Sequence, residues 1–172
     1  MADDARGPVS PWIAQWAGLI PSDAAVLDLA AGRGRHALFF AERGHRVTAV
    51  DRDVSGLPAH PNIELLQADL EDGSPWPLGT RRFGAAIVTN YLHRPLMPAL
   101  LGAIDPGGVL LYETFMEGNE RFGKPSRPEF LLRDGELLDL VRDRFSVIAY
   151  EARMISEPRM AMVQRIAARR LR

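Results

Sequence analysis

The sequence contains no cysteine. Disulfide bonds, thiolate metal sites and a cysteine nucleophile are therefore excluded. Lysine is almost absent as well: Lys124 is the only one, and the remaining basic residues are arginine. Neither sign of charge is in excess, with a formal net charge of −1 at pH 7. A chain without a global field has no general attraction for nucleic acid or an anionic membrane. No stretch interleaves basic and aromatic residues in the manner of a nucleic-acid groove. Long apolar runs are missing too. Residues 12–20 are apolar but short, contain Gln15, and follow a polar stretch carrying Asp3 and Asp4 instead of a basic leader. The expectation is a cytoplasmic protein with no membrane partner. Internal repeats and low-complexity segments are lacking.

What remains is an ordinary globular composition, 47% apolar over 172 residues. That length predicts one domain, residues 1–172, large enough to bury a core. Its organising stretch is VLDLAAGRGRH at 26–36. The apolar residues 25–29 read as a buried strand, 30–34 as a glycine turn, and a helix starts near His36. A second apolar run then ends in Asp51. Strand, tight turn, helix, strand and terminal acid form the βαβ unit that holds nucleotide-like ligands. Glycines let the backbone pass close to the ligand, and the helix start presents free N–H groups. An acid ending the second strand can accept from both ribose hydroxyls.

Asp28 decides which ligand class this turn suits. A dinucleotide turn wants G-x-G-x-x-G, and here its third glycine would fall at Ala37. An anionic Asp28 at the strand end would repel a pyrophosphate and suit an ammonium group. The pattern Asp28-x-Ala30-x-Gly32-x-Gly34 resembles the first motif of class I S-adenosylmethionine (SAM) methyltransferases, (D/E)-x-G-x-G-x-G, with Ala30 in place of the first glycine.

The rest of the chain fits a strand-and-helix alternation. Ser10 and Pro11 open a helix over 11–18, which covers either a sheet flank or the cofactor pocket. A helix over 35–43 is stopped by Gly44. The connection 52–62, with Gly56, Pro58 and Pro61, has room for one helical turn at most. Strands are expected at 46–51, 63–68, 83–89, 109–114, 145–152 and 160–168. A helix is expected over 95–104, a turn at 106–108, and a helix over 135–142 capped by Asp134. Residues 115–133 read as a long polar loop. The last two strands are close enough to be an antiparallel hairpin. The fold class is therefore α/β. It is read as an open, mostly parallel, seven-stranded sheet of Rossmann-like methyltransferase type, with helices on both faces and a C-terminal antiparallel hairpin.

Over most of its length the sequence is similar to the small bacterial group around the tellurite-resistance (TehB-type) methyltransferases. DLAAGRGRHA at 28–37, GHRVTAVD at 44–51, NYLHR at 90–94 and PGG at 106–108 carry the resemblance. It implies SAM as cofactor and S-adenosylhomocysteine as product. It implies Ala30, Ala31, Gly32 and Gly34 against the methionine part, with Asp28 near its ammonium. Asp51 would bind the ribose, Arg52 would lie beside the adenine, and Asp69 and Leu70 would contact it. The backbone of Asn90 and Tyr91 would lie under the sulfonium.

Methyl transfer from a sulfonium is an in-line displacement that asks mainly for alignment and a dry pocket. The catalytic candidates are His93 and Tyr91, with His93 the better titrating group. His93, Arg94, Glu113, Phe122 and Lys124 are the candidates for contacting the acceptor. Arg35 reads as solvated surface. No metal is called for. Absence of cysteine excludes thiol-dependent methylation of a cytosine ring, and the single lysine excludes a two-lysine ribose-methylating set. A small-molecule acceptor leads. An RNA acceptor and a non-catalytic SAM-binding protein are the alternatives, with a nicotinamide-dependent oxidoreductase behind them.

Overall fold

The computed structural model describes residues 6–172, so the first half of the polar N-terminal stretch lies outside the described residues. Helix α1 (Pro11–Trp16) runs into a 3-10 turn and leads to strand β1 (Val26–Leu29). Then follow α2 (Arg35–Ala41), β2 (Val47–Asp51), β3 (Ile63–Gln67), β4 (Phe83–Thr89), α3 (Met97–Ala103) and β5 (Ile104–Phe115). Helix α4 (Glu136–Val141) and the strands β6 (Phe145–Ile155) and β7 (Ala161–Arg170) complete the chain.

The strands form one sheet in the order β3-β2-β1-β4-β5-β7-β6. The first five are parallel and β7 runs antiparallel to both β5 and β6. This is the expected open sheet with its terminal hairpin. Strands β1, β4 and β5 are buried on both faces, which is why they read as unbroken apolar runs. Alternate residues divide between two cores. Leu27, Leu29, Val88, Leu110 and Tyr112 pack with α3 and α4 on one face. Val26, Ile87, Val109 and Leu111 pack with α1 and α2 on the other.

Helix α1 covers the sheet flank. Trp12 and Ile13 are buried there, and the Trp12 indole donates to the Ile166 carbonyl at 3.3 Å. Residues 52–62 contain no helix or strand, as their prolines predict. That side of the sheet edge is accordingly thin, and β3 keeps Leu65 exposed.

Two local expectations are corrected. The PGG at 106–108 is not a free turn ahead of a strand. Ile104 already pairs with Phe83, and the register shifts before Val109, so the glycines form a bulge inside β5. A Cβ on Gly108 would meet the Gly84 carbonyl oxygen at 2.9 Å, which explains the glycine. Asp134 does not cap α4 either. Gly135 occupies that position at φ +70° without a side-chain cap. The Leu137 N–H is instead satisfied by Gln164 Oε1 at 3.1 Å, from β7. Glu136 folds back to accept the Arg133 N–H at 2.8 Å.

Candidate active site

The strand order brings the C-terminal ends of β3, β2, β1 and β4 side by side, where open parallel sheets bind ligands. A cavity of about 430 Å³ opens there. Ala30 enters it from β1, Asp51 and Arg52 from β2, and Asn90 and Tyr91 from β4. Residues 68–71 supply Ala68, Asp69, Leu70 and Glu71 beyond β3. Among the described residues three carboxylates and one guanidinium therefore face the space.

The backbone around it is strained at two non-glycine residues. Ala30 and Asn90 have φ of +55° and +54°. Such left-handed conformations cost free energy and persist where the surrounding structure fixes them. The Asn90 N–H is held by the Glu113 carbonyl at 2.9 Å, and the Tyr91 carbonyl accepts from the Tyr112 hydroxyl at 2.8 Å. The glycine turn folds over the end of β2. Gly32 N–H donates to Asp51 Oδ2 at 2.8 Å, and Asp53 N–H donates to Oδ1 at 3.1 Å. Asp51 is thereby oriented by the turn, with lone pairs left over for further donors.

Seven of the eleven residues expected at the cofactor line this cavity: Ala30, Asp51, Arg52, Asp69, Leu70, Asn90 and Tyr91. Ala31, Gly32, Gly34 and Asp28 do not. Asp28 is only 1% exposed and lies beneath the first turn of α2, on the face shared with Val26. Burial pushes its carboxyl up to about 7, opposed by the Ala37 N–H and by Arg35 and reinforced by Asp51. Gly34 is a glycine for packing reasons. A Cβ there would lie 2.6 Å from Pro58 Cδ and 2.9 Å from Leu57 Cδ2. Glu71 was missed by sequence reasoning because it sits in a loop two residues beyond the acid expected to act.

Tyr91 is not suited to act as a base. Burial, followed by the charges of Glu71, Asp69 and Asp51, drives its phenol above the ordinary tyrosine value. The hydroxyl is buried beside Glu71 without reaching hydrogen-bond geometry. His93 reaches neither of the two cavities that meet at Asn90; its carbonyl accepts from Leu96 N–H at the start of a 3-10 turn. Arg94 is a clamp between elements. It grips Glu136 through two bonds of 2.6 and 2.9 Å and donates to the carbonyls of Glu129 and Leu131. Phe122 stacks under Arg121, and Lys124 is exposed. Neither lines the first cavity or the one beside it at Asn90. Of the loop 115–133 only Phe115 reaches either of these two cavities, because that segment turns back along the sheet through the Asn119 side chain.

The second cavity, of about 320 Å³, shares Asn90 with the first. Its walls are residues 8–11, Arg35 on α2, Glu113 and Phe115 on β5, and the β6–β7 hairpin including Arg159 and Arg165. Arg35, expected as solvated surface, thus faces a cavity and donates to the Pro8 carbonyl at 3.1 Å. Ser10 joins the walls. Its Oγ donates to Glu113 Oε1 at 2.8 Å and accepts from Ile13 N–H, and its N–H donates to His36 Nε2 at 3.1 Å. Glu113 is 7% exposed, and its Oε2 pairs with Arg165 Nε at 2.5 Å. Burial, and secondarily Arg35, lowers His36 to about 3, so it is a neutral acceptor for Ser10. A further groove lies at the N-terminal ends of the strands, where Arg81 is paired with Glu64 and Arg82 with Asp105. Among the described residues no three histidine or acidic side chains converge as metal ligands.

No protein-family model matches the sequence, and no curated protein matches it. Solved structures do match the fold. TehB from Haemophilus influenzae is 18% identical at a TM-score of 0.76, over 94% of this chain and 62% of that one. The chain thus spans less than two thirds of that protein's length. The 1,6-didemethyltoxoflavin-N1-methyltransferase of Burkholderia thailandensis, with S-adenosylhomocysteine bound, is 22% identical at a TM-score of 0.68. That match covers 99% of this chain and 80% of the other. The glycopeptide N-methyltransferase MtfA, also bound to S-adenosylhomocysteine, is 20% identical at 0.64, over 95% and 90%. Strand order, terminal hairpin and these likenesses agree: the chain has the fold of the TehB-like class I SAM-dependent methyltransferases.

Proposed function

We propose that residues 1–172 act as one SAM-binding unit that transfers the methyl group to a small molecule. The observation that carries this reading is the meeting of two chemically different cavities at Asn90. The first is lined by Asp51, Asp69 and Glu71 against a single Arg52. Such a wall suits a ligand with a sulfonium, an ammonium and an amino-purine, and it opposes a pyrophosphate. That contrast supports SAM over a nicotinamide dinucleotide. In this reading Asp51 accepts from the ribose, Asp69 and Leu70 hold the adenine, and the methyl group lies beside Asn90. The solved neighbours that carry S-adenosylhomocysteine support the same cofactor.

When bound, SAM supplies an electrophilic methyl carbon whose leaving group is a neutral thioether. The chain has to align the acceptor with that carbon and keep water out. Ala30 and Asn90 fix the backbone at the junction, and the segment 8–11 roofs the acceptor side. A second cavity of this size supports an acceptor-bearing enzyme over a purely SAM-binding protein. Its enclosure by residues 8–11 and the hairpin favours a small molecule over RNA. A crystal structure with S-adenosylhomocysteine tests the reading. The expected result puts the ribose on Asp51 and the sulfur at Asn90. A ligand elsewhere, or with its sulfur turned away from the second cavity, would overturn it.

A further inference from the structure

The chemistry of the second cavity narrows the acceptor, given the reading that SAM occupies the first. We infer that it takes a small organic anion, a carboxylate on an apolar body, methylated at an atom whose lone pair is free at neutral pH.

The charge comes first. Among the described residues three arginines and two glutamates line the cavity, one cation in excess. Arg165 is already engaged with Glu113 and, at 3.4 Å, with Glu151. Arg35 and Arg159 form no ion pair with another described residue. Each makes one hydrogen bond to a carbonyl, Arg35 to Pro8 at 3.1 Å and Arg159 to Lys124 at 3.0 Å. A guanidinium has five N–H donors, so both keep donors for an anion. Arginine binds a carboxylate in two-point fashion, which lysine does not.

The body comes next. Val9, Phe115, Ile155, Ala161 and Val163 supply apolar wall beside these charges. Arg159 lies 5.3 Å over the Phe115 ring. An inorganic oxyanion would leave these apolar faces against water. A flat or branched hydrocarbon body would cover them, and about 320 Å³ is at the small end of ligand cavities.

The nucleophile follows from what the wall lacks. Among the described residues no histidine, tyrosine or lysine lines the cavity. Glu113 is buried with one oxygen held by Ser10 and the other paired with Arg165, so a proton placed on it would break that ion pair, and Glu157 is exposed. An alcohol has no base to take its proton here. A carboxylate oxygen or a ring nitrogen needs none. Its lone pair forms the bond to the methyl carbon while the carbon–sulfur pair leaves with sulfur. The acceptor's charge rises by one, the sulfonium becomes a neutral thioether, and no proton moves. An anionic acceptor thus leaves without its net negative charge, which weakens its hold on the arginines.

The test is calorimetry on the full chain saturated with S-adenosylhomocysteine. The probes are benzoate and nicotinate, their neutral amides benzamide and nicotinamide, and selenite as a bare oxyanion. The expected result is millimolar or tighter binding of a carboxylate, at least tenfold stronger than its amide, with selenite not bound. Arg35→Gln and Arg159→Gln should each erase most of that preference while S-adenosylhomocysteine affinity is kept. Equal binding of acid and amide, absence of carboxylate binding, selenite binding alone, or an undiminished preference in both variants would overturn the inference. Failure of S-adenosylhomocysteine itself to bind would overturn the reading of the first cavity and this inference with it. Binding without an acid preference would overturn the inference alone.

Discussion

Asp51 is the residue on which the first cavity turns. Its oxygens are already aimed by Gly32 and Asp53, so in the proposed SAM site a ribose would meet an acceptor that needs no rearrangement. Asp51→Ala should weaken S-adenosylhomocysteine binding about 10- to 100-fold, the range for losing hydrogen bonds to a charged group. Circular dichroism would show the fold retained. Unchanged affinity would remove Asp51 from the site. Asp51 was legible in the sequence because it ends an apolar run. Gly34 was legible as a glycine but not for its reason, since Pro58 approaches it from a segment no local pattern connects. Gly34→Ala combines φ +77° with that clash and should cost about 1–3 kcal/mol. The check is a melting temperature several degrees lower. Two buried groups act oppositely on stability. Burial raises Asp28 from 3.8 to about 7, so native protein keeps a proton that unfolded chain loses. That contribution is full below pH 3.8 and is lost as pH rises through about 7. His36 is lowered from 6.5 to about 3, so its neutral-form stability is lost as pH falls through that window. Asp28→Asn removes only the first effect. Between about pH 4.5 and 6.5 its urea-unfolding stability should climb about 2 kcal/mol more than that of wild type. Equal slopes would contradict a buried, protonated Asp28.

At the scale of elements, the strands of the central sheet were readable because burial on both faces makes them continuous apolar runs. The helix ends were less so. The cap of α4 comes from Gln164 and Glu136 instead of Asp134, and Gln164 belongs to a strand about 30 residues later. The bulge at 106–108 depends on Gly84 approaching Gly108, again a tertiary contact. The segment 8–11 illustrates the same limit. Ser10 was legible as a helix cap, and its bonds to Glu113 and His36 were not. Those bonds make α1 and the roof of the second cavity one unit. Ser10→Ala should cost about 1–2 kcal/mol through the lost cap and the lost bond to Glu113. Limited proteolysis should then cut within the first helix, and tryptophan emission from Trp12 should shift to the red. A protease pattern and emission identical to wild type would show that Ser10 does not anchor this segment.

For the whole molecule, the order β3-β2-β1-β4-β5-β7-β6 decides which residues share a site. It sets four parallel strand ends next to one another, and their terminal residues were the ones a sequence can offer: Asp51, Asp69, Asn90 and Tyr91. The second cavity draws on residues near 10, 35, 113 and 160, which are distant in sequence and carry no shared motif. That is why seven residues of the first cavity could be named ahead of the fold, whereas of the acceptor candidates only Glu113 reaches the second. His93, Arg94, Phe122 and Lys124 were chosen by position along the chain, and the fold directs them elsewhere. The most direct measurement is calorimetric titration of the purified protein with S-adenosylhomocysteine, with NAD as control. The expected result is micromolar binding of the first, one ligand per chain, and none of the second. Binding of NAD, or of neither, would contradict the assignment of the acidic cavity to SAM.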